Sequence, residues 1–302
     1  MQSCSRQAEQ AAAVLDIPDV DEQILNQTVA DAQRAVDEYG VARNPAWRQQ
    51  SLVARLNARE QAKLAQQLTS VIYLVAAGQG QQAVRADDAS KRQKLLESAL
   101  QNNSLIPRIV DEQQIPQAAR WQRQRLQSLL NQESFTPVPK ALDLNQASSL
   151  EDRYLIAVEW TQRRQWLEAA ELLEQLTHAR PAGYKLWLGL GICQLEKGHY
   201  DAAEGCFSTA IALRPELYLG YFYRGTCRIK LKQWPTAEKD CSTAMIHRPQ
   251  APAPYINRAI ARQGQRNVGG AIEDLTQAID LGTTETRVYF LRSKWKNSLG
   301  DK

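Results

Sequence analysis

The sequence predicts an all-α protein in which an N-terminal helical region precedes a solenoid of stacked helix–turn–helix units. Three observations carry that reading. From Leu150 onward, matching residues recur at a spacing of 34: Pro181, Pro215 and Pro249; Ala169, Ala203, Ala237 and Ala271; Trp166, Tyr200, Trp234 and Val268. Ala210, Ala244 and Ala278 keep the same step, with Leu176 in that place one unit earlier. Within each unit the apolar residues fall at i, i+3, i+4 and i+7, which is one face of a helix, and a proline closes the second helix. Self-similarity at one period over so many columns marks a repeat architecture.

Length and composition set the frame. A chain of 302 residues fits about two domains. The 43% hydrophobic share is enough for a core, and 23% charged residues with a mean hydropathy of -0.48 suit a water-facing surface. The net charge of +4, with a pI near 8.8, is too diffuse for a nucleic-acid surface, which needs Lys and Arg clustered on one face. No apolar run approaches the 18 residues of a membrane span. Met1-Gln2-Ser3-Cys4-Ser5-Arg6 lacks the apolar core of a signal peptide. A cytoplasmic location and no integral membrane segment are the resulting expectations.

Taken in order, residues 1–20 are Gln-rich and expected to be disordered. A helix is expected from Asp21 to Tyr39, with Ile24, Val29, Ala32 and Val36 on one face and Gly40 as its stop. Asn44-Pro45 reads as a turn. One long helix is expected from Ala46 to Ala77, broken by Gly78-Gln79-Gly80. Further helices are expected over Asp87–Asn102 and Pro116–Gln132, with a linker at Phe135–Pro139. Residues 21–139 then form a helical region that caps the first apolar face of the array. The array itself occupies 150–302, as units 150–183, 184–217, 218–251 and 252–285 and a final helix over 286–299. One hairpin cannot bury both of its faces, so neighbours stack. Small residues at Ala157, Gly191, Gly225 and Ala259 let paired helices approach closely.

The clearest unit is Tyr184–Pro215. It reads W-x2-L-G-x2-Q through Trp187, Leu190, Gly191 and Gln194, then G-x-Y-x2-A-x3-F-x2-A through Gly198, Tyr200, Ala203, Phe207 and Ala210, then Pro215. This resembles the tetratricopeptide repeat, whose period is about 34 residues. The resemblance implies a right-handed α-solenoid whose first helices line a concave groove.

Catalytic and metal signals are weak. Gly78-Gln79-Gly80-Gln81-Gln82-Ala83 half-resembles a phosphate loop but lacks the third Gly and a preceding strand. No H-R-D, D-F-G, V-A-I-K, G-x-S-x-G or H-E-x-x-H occurs. Asp87-Asp88 and Asp111-Glu112 are adjacent, so on a helix their carboxylates point apart. Cys4, Cys193, Cys206, Cys227 and Cys241 form no C-x-x-C pair and no metal spacing with His178, His199 or His247. No catalytic residue, cofactor or metal is expected.

Two constellations in the repeats stand out. Arg224 and Arg258 replace Ile156 and Leu190 of the earlier units, and Asp240 and Asp274 replace Leu172 and Cys206. The charges switch on together. Ion pairs Arg224–Asp240 and Arg258–Asp274 within a unit are expected, with Asp240–Arg258 and Asp274–Arg292 as the rival pattern. The second constellation is a ladder at the same spacing: Tyr154, Leu188, Phe222, Ile256 and Phe290, backed by Val158, Ile192, Thr226, Ile260 and Lys294. By the resemblance these columns line the concave groove, suited to an apolar extended or helical peptide, with Lys185 and Arg287 adding charge selectivity. The plainer reading is that the ladder only packs repeat on repeat. Chaperone-binding members of the family hold a C-terminal carboxylate with Lys, Arg and Asn on this face. Val158, Gly189 and Ile192 stand at those columns here.

Four phrases resemble the C-terminal region of planctomycete-type serine/threonine protein kinases that carry such repeats. They are Ala35-Val36-Asp37-Glu38-Tyr39-Gly40-Val41, Asn44-Pro45-Ala46-Trp47, Cys206–Pro215 and Thr286-Arg287-Val288-Tyr289-Phe290-Leu291-Arg292. In that family a kinase domain and usually a membrane anchor precede this region and more repeats follow. The expected function is a non-enzymatic scaffold that binds a protein or peptide in the groove. The alternative is a regulatory or sensor fragment of such a kinase, membrane-tethered if it belongs to a longer chain.

Overall fold

The computed structural model describes residues 22–51, 53–131 and 149–300. The expected disorder of 1–20 and the linker at 135–139 lie outside the described residues. Among the described residues there are thirteen α-helices and no strand. The chain divides into two compact units, Met1–Gln165 and Trp166–Lys302.

The first unit is built around one helix. It contains α1 (Glu22–Glu38), α2 (Ala58–Arg85), α3 (Ala89–Asn103), α4 (Gln117–Asn131) and α5 (Leu150–Gln162), with single 3-10 turns at Trp47–Gln49, Ile106–Arg108 and Glu112–Gln114. Helix α2 packs on α1, α3 and α4. Its stretch from Val71 to Ala77 is buried all round, as a helix surrounded by neighbours must be. Gly40 closes α1 with φ of 61°, a conformation that glycine adopts without a steric penalty.

Two expectations for this unit are corrected. The single helix over 46–77 does not form. Trp47 is buried, and its indole N–H donates to the Arg108 carbonyl at 3.2 Å, which holds the chain in a turn. The helix starts at Ala58 behind a capping box: the Asn57 side chain accepts from the Glu60 N–H at 3.0 Å, and the Glu60 carboxylate accepts from the Asn57 N–H at 2.9 Å. Asn57-x-x-Glu60 was a readable start signal. Nor does Gly78-Gln79-Gly80 break the helix, since α2 runs through it to Arg85. Glycine costs a helix about 1 kcal/mol per residue, but this stretch is fixed by its neighbours. Gln79 is buried, donating to Ser98 Oγ at 3.0 Å and accepting from Asn102 Nδ2 at 2.9 Å. An apolar cluster of Ala76, Ala83, Leu96, Ala99 and Leu126 spans both sides of the glycines.

A buried polar knot completes the unit. The Glu159 carboxylate accepts from Tyr73 Oη at 3.0 Å, from Arg163 Nε at 2.7 Å and from Arg125 Nη1 at 3.3 Å. A buried charge persists only when it is paired in this way. Burial first, and the Glu159 charge second, hold the Tyr73 phenol well above its ordinary range.

The second unit is the repeat array. It runs α6 (Trp166–Ala179), α7 (Tyr184–Glu196), α8 (Tyr200–Leu213), α9 (Tyr218–Lys230), α10 (Trp234–His247), α11 (Pro252–Gly264), α12 (Val268–Asp280) and α13 (Thr286–Ser298). Each helix packs on the next, and α7 also meets α9 while α9 meets α11. The array is therefore a helical solenoid, with the first helices of successive repeats drawn together on one side. Close approach explains the small-residue column: a Cβ on Gly191 would lie 2.6 Å from Phe207 Cε1.

One further period-34 column emerges only in three dimensions. Arg164, Gly198, Lys232, Arg266 and Gly300 all have positive φ, between 58° and 80°. Each follows a first helix. The next residue's N–H reaches back into that helix, from Gln165 to Trp160, His199 to Gln194, Gln233 to Arg228 and Asn267 to Arg262, which satisfies carbonyls the helix end leaves open. Three of these turns hold a side chain where glycine is favoured. Lys232→Gly should raise stability by about 0.5–1 kcal/mol, and Gly198→Ala should cost about 1 kcal/mol. Urea unfolding of the two variants checks both, and equal midpoints would mean the left-handed turn is absent in solution.

Candidate binding surface

The charged side chains of the repeats form a motif that occurs twice. Arg224 grips Asp240 with both arms, Nε to Oδ2 at 2.9 Å and Nη2 to Oδ1 at 2.8 Å, and its Nη1 donates to Ser208 Oγ at 3.2 Å. Arg228, one turn on, donates from Nη1 to the same Asp240 at 2.9 Å and from Nε and Nη2 to Glu204 at 2.9 and 2.8 Å. Shifted by 34 residues, Arg258 grips Asp274 at 3.0 and 2.6 Å and reaches Ser242 at 3.2 Å. Arg262 meets Asp274 at 3.1 Å and Glu238 at 2.8 Å.

The structure thus joins Arg224 to Asp240 and Arg258 to Asp274 inside one repeat. The ion pairs that cross between repeats are Arg228–Glu204 and Arg262–Glu238, not Asp240–Arg258, and the hydrogen bonds Arg224–Ser208 and Arg258–Ser242 cross beside them. Sequence reasoning missed Glu204, Arg228, Glu238 and Arg262, although both pairs repeat at the period already found. The hydrogen bond to Asp240 raises the Arg224 pKa above its ordinary value. For Glu238, burial pushes the pKa up, but hydrogen bonds from Arg262 and Gln265 outweigh it and leave the carboxyl lowered.

The expected groove residues fall into three groups. Tyr154 in α5 and Leu188, Ile192 and Ile256 in the array are buried. Phe222, Thr226, Ile260 and Lys185 are half-buried. Arg287 and Phe290 are exposed, Phe290 by 65%. The accessible part of the ladder in the array therefore lies on α9, α11 and α13. There Phe222 meets Tyr223 edge-on with ring centroids 5.0 Å apart. Asn257 Nδ2 donates to Thr226 Oγ1 at 2.8 Å, and Thr226 donates to the Phe222 carbonyl at 2.9 Å. Tyr223 and Asn257 are additions that the ladder columns did not include.

Charge divides by helix. The first helices α7, α9, α11 and α13 carry one acidic residue, Glu196, whereas α8, α10 and α12 carry one Lys or Arg, Lys239. Four first-helix arginines are spent on the carboxylate motifs. Lys185, Lys230, Arg287, Arg292, Lys294 and Lys296 belong to neither motif, so the first helices keep an excess of cations. The thiols of this unit are unreactive in kind. Burial pushes Cys193, Cys227 and Cys241 up to about 12 and Cys206 to about 11, and a thiol is nucleophilic only as its thiolate. Among the described residues no group of three or more His, Cys, Asp or Glu side chains could hold a metal ion, and no helix is long and apolar enough to cross a membrane.

A tetratricopeptide repeat model matches residues 161–220. Within those residues the 34-residue period and the paired helices agree with that match. No curated protein matches the chain in sequence. Solved structures that it resembles include MamA 41-end from Desulfovibrio magneticus RS-1, at 19% identity and a TM-score of 0.48 over 51% of this chain and 88% of that one. Another is the first TPR of Spaghetti (RPAP3) bound to the HSP90 peptide SRMEEVD, at 20% identity and a TM-score of 0.38 over 39% of this chain and 93% of that one. The Arabidopsis OM64 TPR domain matches at 19% identity and a TM-score of 0.38, over 38% of this chain and 95% of that one.

Asp274 is the acceptor for two guanidiniums. Asp274→Ala leaves Arg258 without a carboxylate, while Arg262 keeps Glu238, and should cost about 3–5 kcal/mol, more than the double change Arg258→Leu with Asp274→Leu, which removes both members of that pair. Chemical denaturation of the two variants checks this, and equal losses would contradict the pairing.

Proposed function

We propose that the protein is a non-enzymatic scaffold that binds a partner polypeptide along the first-helix side of its repeats. The observation that carries this is the accessible part of the ladder: half-buried Phe222 on α9 and exposed Phe290 on α13, on first helices that also carry Lys185, Arg287 and Lys294. Rigid aromatic side chains give contact area at low entropic cost and serve as binding anchors. These cations favour an acidic segment and set orientation more than affinity. The partner is accordingly a peptide with apolar anchor residues and interspersed Asp or Glu.

A second reading makes the chain a regulatory region that works with a serine/threonine kinase. It rests on the four phrases that resemble planctomycete-type kinases. In the first of them Ala35, Val36, Tyr39 and Val41 are buried, so packing alone accounts for that phrase.

Selection from a displayed random-peptide library against the purified chain tests the primary reading. Enriched peptides should pair aromatic or aliphatic residues with Asp or Glu. Phe222→Ala combined with Phe290→Ala should weaken their binding by about tenfold or more, since hot-spot truncation costs about 2 kcal/mol, while circular dichroism stays unchanged. No enrichment, or enrichment indifferent to both substitutions, overturns it. Selective capture of a protein kinase domain by a surface that ignores such peptides would favour the second reading.

A further inference from the structure

We infer that the 40–59 segment of the first unit, with the turn at Arg108, is a docking surface for an Asp- and Glu-rich segment of a partner polypeptide. The observation is a set of cations that the fold collects without a carboxylate. From Gly40 to Arg59 the chain carries Arg43, Arg48, Arg55 and Arg59 and no Asp or Glu. All four are exposed, and so is Arg108. Among the described residues none of these five guanidiniums forms an ion pair.

Three of the cations are brought together by the turn that buries Trp47, whose indole donates to the Arg108 carbonyl. Arg48 Nη2 donates to the Ile109 carbonyl at 2.5 Å, with its guanidinium 5.3 Å from the centre of the Trp47 ring. Arg108 Nη1 donates to the Ala42 carbonyl at 3.3 Å, beside Arg43. Each of these two guanidiniums spends one of its five N–H groups on a neutral carbonyl and keeps the rest for another acceptor. The carbonyls hold the side chains in place but leave their charge uncompensated. The carboxylates next in sequence do not relieve it: Glu60 closes the capping box, Asp37 accepts from Gln33, and the exposed Asp111 and Glu112 pair with none of the five.

The chemistry of the surface selects among anions. A guanidinium matches a carboxylate through two parallel N–H bonds. Single-stranded nucleic acid stacks its bases on exposed aromatic rings, and the one aromatic residue here, Trp47, is 1% exposed. Reading a duplex takes a helix or strand in a groove, whereas Arg43, Arg48, Arg55 and Arg108 stand on turns and 3-10 turns. A membrane surface is gripped by large apolar side chains. Among the described residues of the 40–59 segment the exposed apolar side chains are small: Ala42, Pro45, Ala46, Ala54 and Ala58. This surface uses none of the ladder residues and goes beyond the peptide binding proposed for the repeats.

The probe is a fluorescein-labelled peptide of alternating Glu and Gly, titrated into the full chain and read by anisotropy. Saturable binding is expected, weakening as salt rises, and a peptide with Gln in place of Glu should not bind. Arg43→Glu combined with Arg55→Glu should weaken binding about tenfold or more, as loss of charge-assisted contacts does. Neither side chain makes a bond within the protein, so the variant should keep the wild-type thermal unfolding midpoint. The same charge change at two exposed cations outside this surface, Lys94→Glu with Lys239→Glu, should leave binding intact. So should Phe222→Ala combined with Phe290→Ala, which separates this surface from the ladder. Absence of saturable binding, indifference to the two arginine changes, or an equal loss in the lysine variant overturns the inference. Tighter binding of oligothymidylate, a DNA duplex or phosphatidylserine vesicles than of the peptide would assign the surface to nucleic acid or lipid and overturn it equally.

Discussion

Two carboxylates almost out of reach of water govern the repeat array. Asp240 and Asp274 are each 3% exposed, and an ionised carboxylate in that setting persists only if it is fully paired. Each takes two guanidiniums from consecutive turns of the preceding helix. One of those guanidiniums reaches a serine and the other a glutamate on the second helix of the previous repeat. Each carboxylate therefore ties three helices together. In a solenoid every repeat meets only its neighbours, so stability is a sum over such junctions.

The array uses two kinds of junction. In the 184–217 repeat, Leu190 and Cys206 occupy the places that Arg and Asp hold later, with Phe207 against Gly191. In the next two repeats the contact is ionic, and the residues facing the small column shift to Cys241 and Leu275. Apolar and ionic versions of one contact can be equal in stability. They differ in what they tolerate, since a bidentate Arg–carboxylate pair fixes geometry as well as distance. All but one of the remaining Lys and Arg residues of helices α7 to α13 sit on first helices, Lys239 being the exception.

The architecture was readable because one period controls it. Pro, Ala and aromatic columns recur at that period, and the first helices begin 34 residues apart, at Tyr184, Tyr218, Pro252 and Thr286. The ladder was less transparent. Spacing tells which residues share a column but not how far a neighbour covers them, so Leu188 and Phe290 looked equivalent although one is buried and the other open. The left-handed turns at Lys232 and Arg266 were hidden for a related reason: glycine announces such a turn, and a charged residue forced into it does not. In the first unit, without a crisp repeat, glycines misled. Gly78 and Gly80 have the pattern of a helix break, whereas the hydrogen bonds of Gln79 and the packing around Ala76 and Ala83 hold the helix through them.

The junctions are tested most directly where a bond crosses from one repeat to the next. A double-mutant cycle on Glu204→Ala and Arg228→Ala, read by urea unfolding, isolates the coupling between α8 and α9. A coupling of about 1 kcal/mol or more is predicted, within the range of contacting charged residues. Additive losses, with no coupling beyond error, would contradict the claim that these salt bridges bind neighbouring repeats together.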